Sequence, residues 1–295
     1  MHTVAVLSLK GGVGKTTVAL GIASAAVHRG ARTLVADLDP QGNATASLDP
    51  PPAEHTLDDV LHQRVPLRAA VTPSPWGEQL DVLAGSDNLE LLNEPGEAAE
   101  QAAVLARVLG GLDNADESAE YDEAAYDIVV LDCPPSLGML TRSALLAANS
   151  ALLISEPTMY AIAGAQRALD AIERIRAEHN TSLRPAGVLV NRFRSRSYEH
   201  QFRIDELREE FGGLVMPTAI PDRLVLQQTQ GACVPIHQWN SPAAEELALT
   251  FNMVLAKILR SDRAGRHRLA GLDALAHDLP AEEPAEQALS QHDPA

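Results

Sequence analysis

The stretch that most restricts what this chain can fold into lies at its start. TVAVLSL (3–9) is a short apolar run rich in β-forming residues, and KGGVGKTT (10–17) follows it directly. TTVALGIASAAVHRG (16–30) then carries a helical pattern closed by Gly30. A strand, a glycine-rich turn bearing GKTT and a helix form the setting that a phosphate-binding loop requires. Backbone N–H groups of Gly12, Val13, Gly14 and Lys15 can then point at a β-phosphate, at the positive end of the helix dipole. In such a loop Lys15 bridges the β- and γ-phosphates, and the Thr16 hydroxyl can ligate Mg²⁺. Gly11 and Thr17 complete the candidate nucleotide-binding set.

Five more apolar runs read as buried strands: RTLVADLD (32–39), LDVLAG (80–85), YDIVVLDCPP (126–135), SALLISEP (150–157) and PAGVLVNRF (185–193). Helical segments separate them, notably AIAGAQRALDAIERIRAEH (161–179), and Thr56 and Asp59 stand at capping-box spacing. Strands without alternation, separated by helices, describe an α/β fold: a mostly parallel twisted sheet with helices on both faces.

Of 295 residues, 45% are hydrophobic, which is ordinary for a globular protein with a full core. No run of about 18 apolar residues appears, so no membrane span is expected, and MHTVAVLSLK lacks the features of a signal peptide. Cys133 and Cys233 form no disulfide framework, and a cytoplasmic protein with reduced thiols is expected. The formal charge of −17 argues against bulk nucleic-acid binding, but its distribution matters more than its sum. Acids gather in DNADESAEYDE (113–123) and after Arg268, whereas NRFRSRSYEHQFR (191–203) and KILRSDRAGRHR (257–268) are basic.

The chain has three lysines, Lys10, Lys15 and Lys257, and two of them share one loop. A phosphate loop needs one. The usual G-x-x-x-x-G-K pattern would place glycine at position 9, where this chain has Leu9. The loop instead reads K-G-G-V-G-K-T, which resembles the deviant Walker A motif of the ParA/MinD family of P-loop ATPases. That resemblance implies a sandwich of two subunits around two ATP molecules, with Lys10 reaching across to the partner's phosphates. A lysine ~4 Å from a phosphate charge is worth about 4 kcal/mol at an effective dielectric near 20. This term exists only when nucleotide and partner are both present, so it can make dimerisation depend on ATP.

Two further stretches carry the resemblance. DLDPQGNAT (37–45) is similar to switch I of ParA proteins, which implies that Asp39 orients or activates the attacking water and that Asp37 sits in the magnesium shell. VVLDCPPSLGML (129–140) is similar to the Walker B strand and switch II. There Asp132 can hold a magnesium water, while Ser136 and Gly138 can move with the γ-phosphate. Cys133 alternates away from Asp132, toward the core. The likeness spans roughly residues 3–260 and implies an ATPase domain over 1–260, followed by a basic-then-acidic extension (261–295) expected to be largely disordered.

Within the family, the absence of well-placed cysteine pairs argues against iron–sulfur relatives. LALTFNMVLAKILR (247–260) has apolar residues at 247, 251, 254, 255 and 258. This stripe is read as core packing rather than a MinD-like membrane helix. DLDPQGN also looks like ParA. Membership of the ParA branch implies ATP-dependent nonspecific binding to double-stranded DNA, nucleoid association, and a ParB-like protein that stimulates slow hydrolysis. Arg196 falls at a position where short ParA proteins carry a DNA-contacting arginine. Arg192, Arg194, Arg203 and Arg223 are further candidates, with solvated ion pairs as the alternative. Pro221 falls in the nucleotide-binding set. Asn191 is read either as an adenine contact or as a loop asparagine. With the first strand starting at about residue 3, no helix-turn-helix domain is expected ahead of it. Two other readings stay open, a MinD-like membrane-associated regulator and an ATP-dependent assembly factor.

Overall fold

In a computed structural model, residues 1–93, 99–113 and 126–261 are described. The acidic stretch after Asp113 and nearly all of the expected C-terminal extension, with Arg263, Arg266 and Arg268, lie outside the described residues. Eight strands form one sheet: β1 (His2–Leu7), β2 (Thr33–Asp37), β3 (Val71–Pro73), β4 (Leu80–Leu83), β5 (Ile128–Asp132), β6 (Ser150–Ser155), β7 (Arg184–Phe193) and β8 (Val215–Pro221). Their order is β3-β4-β2-β5-β1-β6-β7-β8. Every pairing is parallel except that of β3 with β4.

The sequence predicts six of these strands and misses β3 and β8. Both lie at sheet edges and both contain proline, Pro73 in one and Pro217 in the other. Proline cannot donate to a ladder, so it breaks the apolar run that marks a strand and is tolerated only at an edge. The expected strand ends also shrink. Leu38 and Asp39 leave the sheet after Asp37, and Cys133 leaves it after Asp132.

Successive strand residues supply two cores, one on each face of the sheet. Val4 and Val6 enter the core under the Lys15–His28 and Pro242–Ser261 helices. Ala5 and Leu7 enter the opposite core, beneath Met139–Ala147 and Ala161–Glu178. The stripe at Leu247, Phe251, Val254, Leu255 and Ile258 is buried in the first core, as core packing requires. Gly21 lets this helix pair close, because a Cβ there would lie 2.2 Å from the Phe251 ring. The Thr56 cap is also present: its N–H donates to the Asp59 carboxylate at 3.2 Å. No helix among the described residues is long and apolar enough to cross a membrane.

Candidate nucleotide site

Because β1, β2, β5, β6 and β7 run in one direction, their C-terminal ends share one sheet edge, the edge where open α/β sheets bind ligands. The loop after β1 wraps the N-terminus of the Lys15–His28 helix. Gly12 and Gly14 hold φ of 80° and 85°, in the left-handed region that favours glycine. Gly14 is constrained twice, since a Cβ there would also meet Asn191 Nδ2 at 2.3 Å. That amide donates to the Val13 carbonyl at 2.7 Å, while the buried Asn191 Oδ1 has no partner. Asn191 therefore buttresses the loop from beneath.

The loop bounds a cleft of about 340 Å³ lined by Lys10, Gly11, Gly12, Val13, Gly14, Lys15, Thr16, Thr17 and Asp39. Inside it, Lys15 Nζ donates to Asp132 Oδ1 at 2.9 Å and to Asp39 Oδ2 at 3.3 Å. Thr16 Oγ1 donates to the other Asp132 oxygen at 2.7 Å. Burial alone would lower the Lys15 pKa, but Asp132 and Asp39 outweigh it and the ammonium is raised above its usual value. Burial raises the Asp132 carboxyl, against the opposing pull of Lys15.

Asp37 pairs in register with Asp132 across β2 and β5. Burial, then the Asp132 charge, pushes its carboxyl up to about 7. Its oxygens accept from the Thr45 N–H and hydroxyl, both at 2.8 Å, and from the Asp39 N–H at 3.2 Å. Asp37 thus anchors the 39–45 segment to the sheet. The oxygen donors that meet at the helix start are Thr16 and Asp132, a hard set suited to a magnesium ion that takes its other ligands from phosphate and water.

Two residues at or beside the cleft carry no motif. Gln230 Nε2 donates to Thr17 Oγ1 at 3.1 Å, tying the Leu224–Gly231 helix to the phosphate loop. Glu156, one residue beyond β6, accepts from Lys10 Nζ at 2.9 Å and from Arg192 Nη1 at 3.0 Å. The legible signal for Glu156 was its place, a carboxylate just past a strand at the ligand-binding edge. Cys133 is buried in the core, as its alternation predicts.

The other candidates lie along the sheet edge. Pro221 pairs with Phe193 at the end of β8 and lines a separate groove of about 680 Å³ with Arg194, Arg196 and Arg223. Most of the basic residues are paired. Arg194 meets Asp222 at 2.8 Å, and Arg223 meets Glu246 at 3.3 Å. Arg203 meets both Glu199 and Glu206, at 2.7 and 2.8 Å. Arg196 is exposed and makes no ion pair among the described residues.

A family model described as an AAA domain matches residues 1–185. The chain is 34% identical over 260 residues to the chromosome-partitioning ATPase Soj of Thermus thermophilus, covering 88% of this chain and 97% of that protein. This chain belongs to the ParA/MinD family of P-loop ATPases. A second ParA-type relative, the sporulation initiation inhibitor protein Soj of Bacillus subtilis, is 30% identical, with 79% of this chain and 89% of that one covered. Among solved structures, cobyrinic acid a,c-diamide synthase from Mycobacterium smegmatis with bound ADP and magnesium superposes with a TM-score of 0.71 at 27% identity, covering 90% of this chain and 97% of that one. The Cyanothece apo McdA structure gives 0.74 at 22% identity, over 86% and 99% of the two chains, and supports the fold. As a ParA/MinD member the chain is a partition-type ATPase at family level, with Lys15, Thr16, Asp39 and Asp132 gathered at one cleft.

Proposed function

We propose that this chain is an ATP-driven switch that dimerises around nucleotide, binds DNA without sequence preference and positions a cargo with a ParB-like stimulating partner. The observation that supports this reading is the contrast between the two loop lysines. Lys15 is buried among carboxylates at 6% side-chain exposure, whereas Lys10 is 62% exposed at the lip of the same cleft. A second cation at the lip serves little purpose for a single-chain phosphate loop, and its exposure supports a role toward a second copy.

In this reading ATP binds along the loop, and its phosphates replace Asp132 and Asp39 as the partners of Lys15. Thr16 and Asp132 would hold the magnesium ion, which when bound neutralises phosphate charge. Asp39, released from Lys15, orients the attacking water, and Lys10 places its charge on the partner copy's nucleotide. The domain is assigned to residues 1–260 and its working place to the nucleoid.

The pairing of Arg192, Arg194, Arg203 and Arg223 favours a second reading, in which the ATP-bound form captures a protein client instead of DNA. Fluorescence anisotropy of a labelled random-sequence duplex tests the two. Binding with Mg²⁺ and a slowly hydrolysed ATP analogue, absent with ADP and weakened by salt, supports the DNA-carrier reading. No binding with either nucleotide rules it out in favour of a client.

A further inference from the structure

Three cations line the phosphate cleft: Lys10, Lys15 and Arg192. All three are already matched to carboxylates. Lys15 lies between Asp39 and Asp132, within the chemical site itself. Lys10, on the loop after β1, and Arg192, near the end of β7, converge on one residue, Glu156. Glu156 is 14% exposed, so its carboxylate has little water to fall back on. Arg192 adopts φ 56°, a left-handed backbone that a non-glycine residue holds only against strain. The strained residue is thus one that Glu156 holds.

We propose that Glu156 is an internal competitor of nucleotide phosphate, parking Lys10 and Arg192 in the single chain and releasing Lys10 only when phosphate takes its place. This role rests on the reading in which ATP closes a two-chain sandwich. The magnitudes suit a hand-over. Lys10 and Arg192 are 62% and 50% exposed, and ion pairs with a solvated partner are weak. A multiply charged triphosphate outcompetes one carboxylate for such cations, while the carboxylate still keeps Lys10 from engaging a partner without nucleotide. A purely structural staple between β6 and β7 would instead leave nucleotide response untouched when its charge is removed.

The test compares wild type, E156Q, E156D and the K10A and K10A/E156Q pair. Light scattering follows dimer formation against the concentration of a slowly hydrolysed ATP analogue, and a fluorescent ATP analogue reports nucleotide affinity. E156Q should reach half-dimer at an analogue concentration about two- to fivefold lower than wild type. E156D keeps the charge and should stay near wild type; in the K10A background, which should not dimerise, E156Q should tighten nucleotide binding less than it does with Lys10 present. An E156Q curve that overlays wild type or moves the other way overturns the proposal, as does an equal shift in E156D. If wild type never dimerises with the analogue, the sandwich reading fails. Glu156 is then decided by nucleotide affinity alone: tighter binding by E156Q supports competition with phosphate, and equal or weaker binding overturns it.

Discussion

The Lys15 ammonium lies 2.9 Å from the carboxylate of Asp132, a residue with no solvent exposure at the end of a central strand. A buried charge pair of this kind adds little over a well-packed apolar pair, but removing one partner leaves the other stranded. Lys15→Met should therefore lower stability by about 3 kcal/mol as well as abolishing nucleotide binding. Denaturant melts and binding of a fluorescent ATP analogue measure the two effects separately. A variant as stable as wild type would show that Asp132 is satisfied without the lysine.

Gly14→Ala should be more damaging than a methyl group suggests. Its φ of 85° is unfavourable for alanine, and the new Cβ would meet the Asn191 amide at 2.3 Å. Overpacking of this kind costs about 1–3 kcal/mol, and displacement of the loop should reduce ATP affinity at least tenfold. Adding Asn191→Ala removes the clash but not the backbone strain, so it should restore only part of the loss. Full recovery of affinity in the double variant would count against the strain argument.

Gly21→Ala probes packing far from the phosphates. The Cβ would fall 2.2 Å from the Phe251 ring, between the first helix and the last described one. A loss of about 1–3 kcal/mol is expected, with nucleotide affinity nearly unchanged. Loss of nucleotide binding without loss of stability would mean that the two regions are coupled differently.

His237 gives the fold a specific acid sensitivity. Burial, then the neighbouring His28, lowers its imidazolium pKa to about 4. His28 stacks on it at 4.8 Å, and Ser24 Oγ lies 2.7 Å from its Nδ1. An unfolded histidine titrates near 6.5, so between about pH 6.5 and 4 the unfolded chain holds the extra proton. Stability should fall as pH drops through that window. Thermal melts of wild type and His237→Gln across it should converge toward the acid end. Parallel slopes would remove His237 as the cause.

Among the arginines, Arg196→Ala should weaken DNA binding and lower its salt slope by about one phosphate contact. Arg203→Ala should do less, because its guanidinium is already shared between Glu199 and Glu206. Anisotropy titrations at several salt concentrations give both slopes, and an equal loss in the two variants would argue that the ion pairs open on DNA.

Much of the nucleotide site was legible because its parts are contiguous in the chain. Gly12, Gly14, Lys15 and Thr16 sit in one loop, where backbone conformation and helix start are local matters. The positions of the central strands were legible for a similar reason, since each strand buried on both faces must be a continuous apolar run. Edge strands escaped because a short, proline-containing strand with only one paired neighbour has no such requirement.

The sequence by itself determined a phosphate loop, two aspartate-bearing stretches at strand ends and a doubly covered sheet, since each follows from neighbours along the chain. Only the tertiary structure decided what those charges touch. Lys10 and Glu156 are 146 residues apart, as Asp132 and Lys15 are 117, and both pairs meet because the sheet order sets β1 between β5 and β6. The partners of Arg192, Arg194 and Arg223 were decided in the same way, whereas Arg203 meets Glu199 and Glu206 on its own helix. Partner choice between charged side chains depends on which strand and helix ends are brought together, and that is a property of crossover order rather than of local composition.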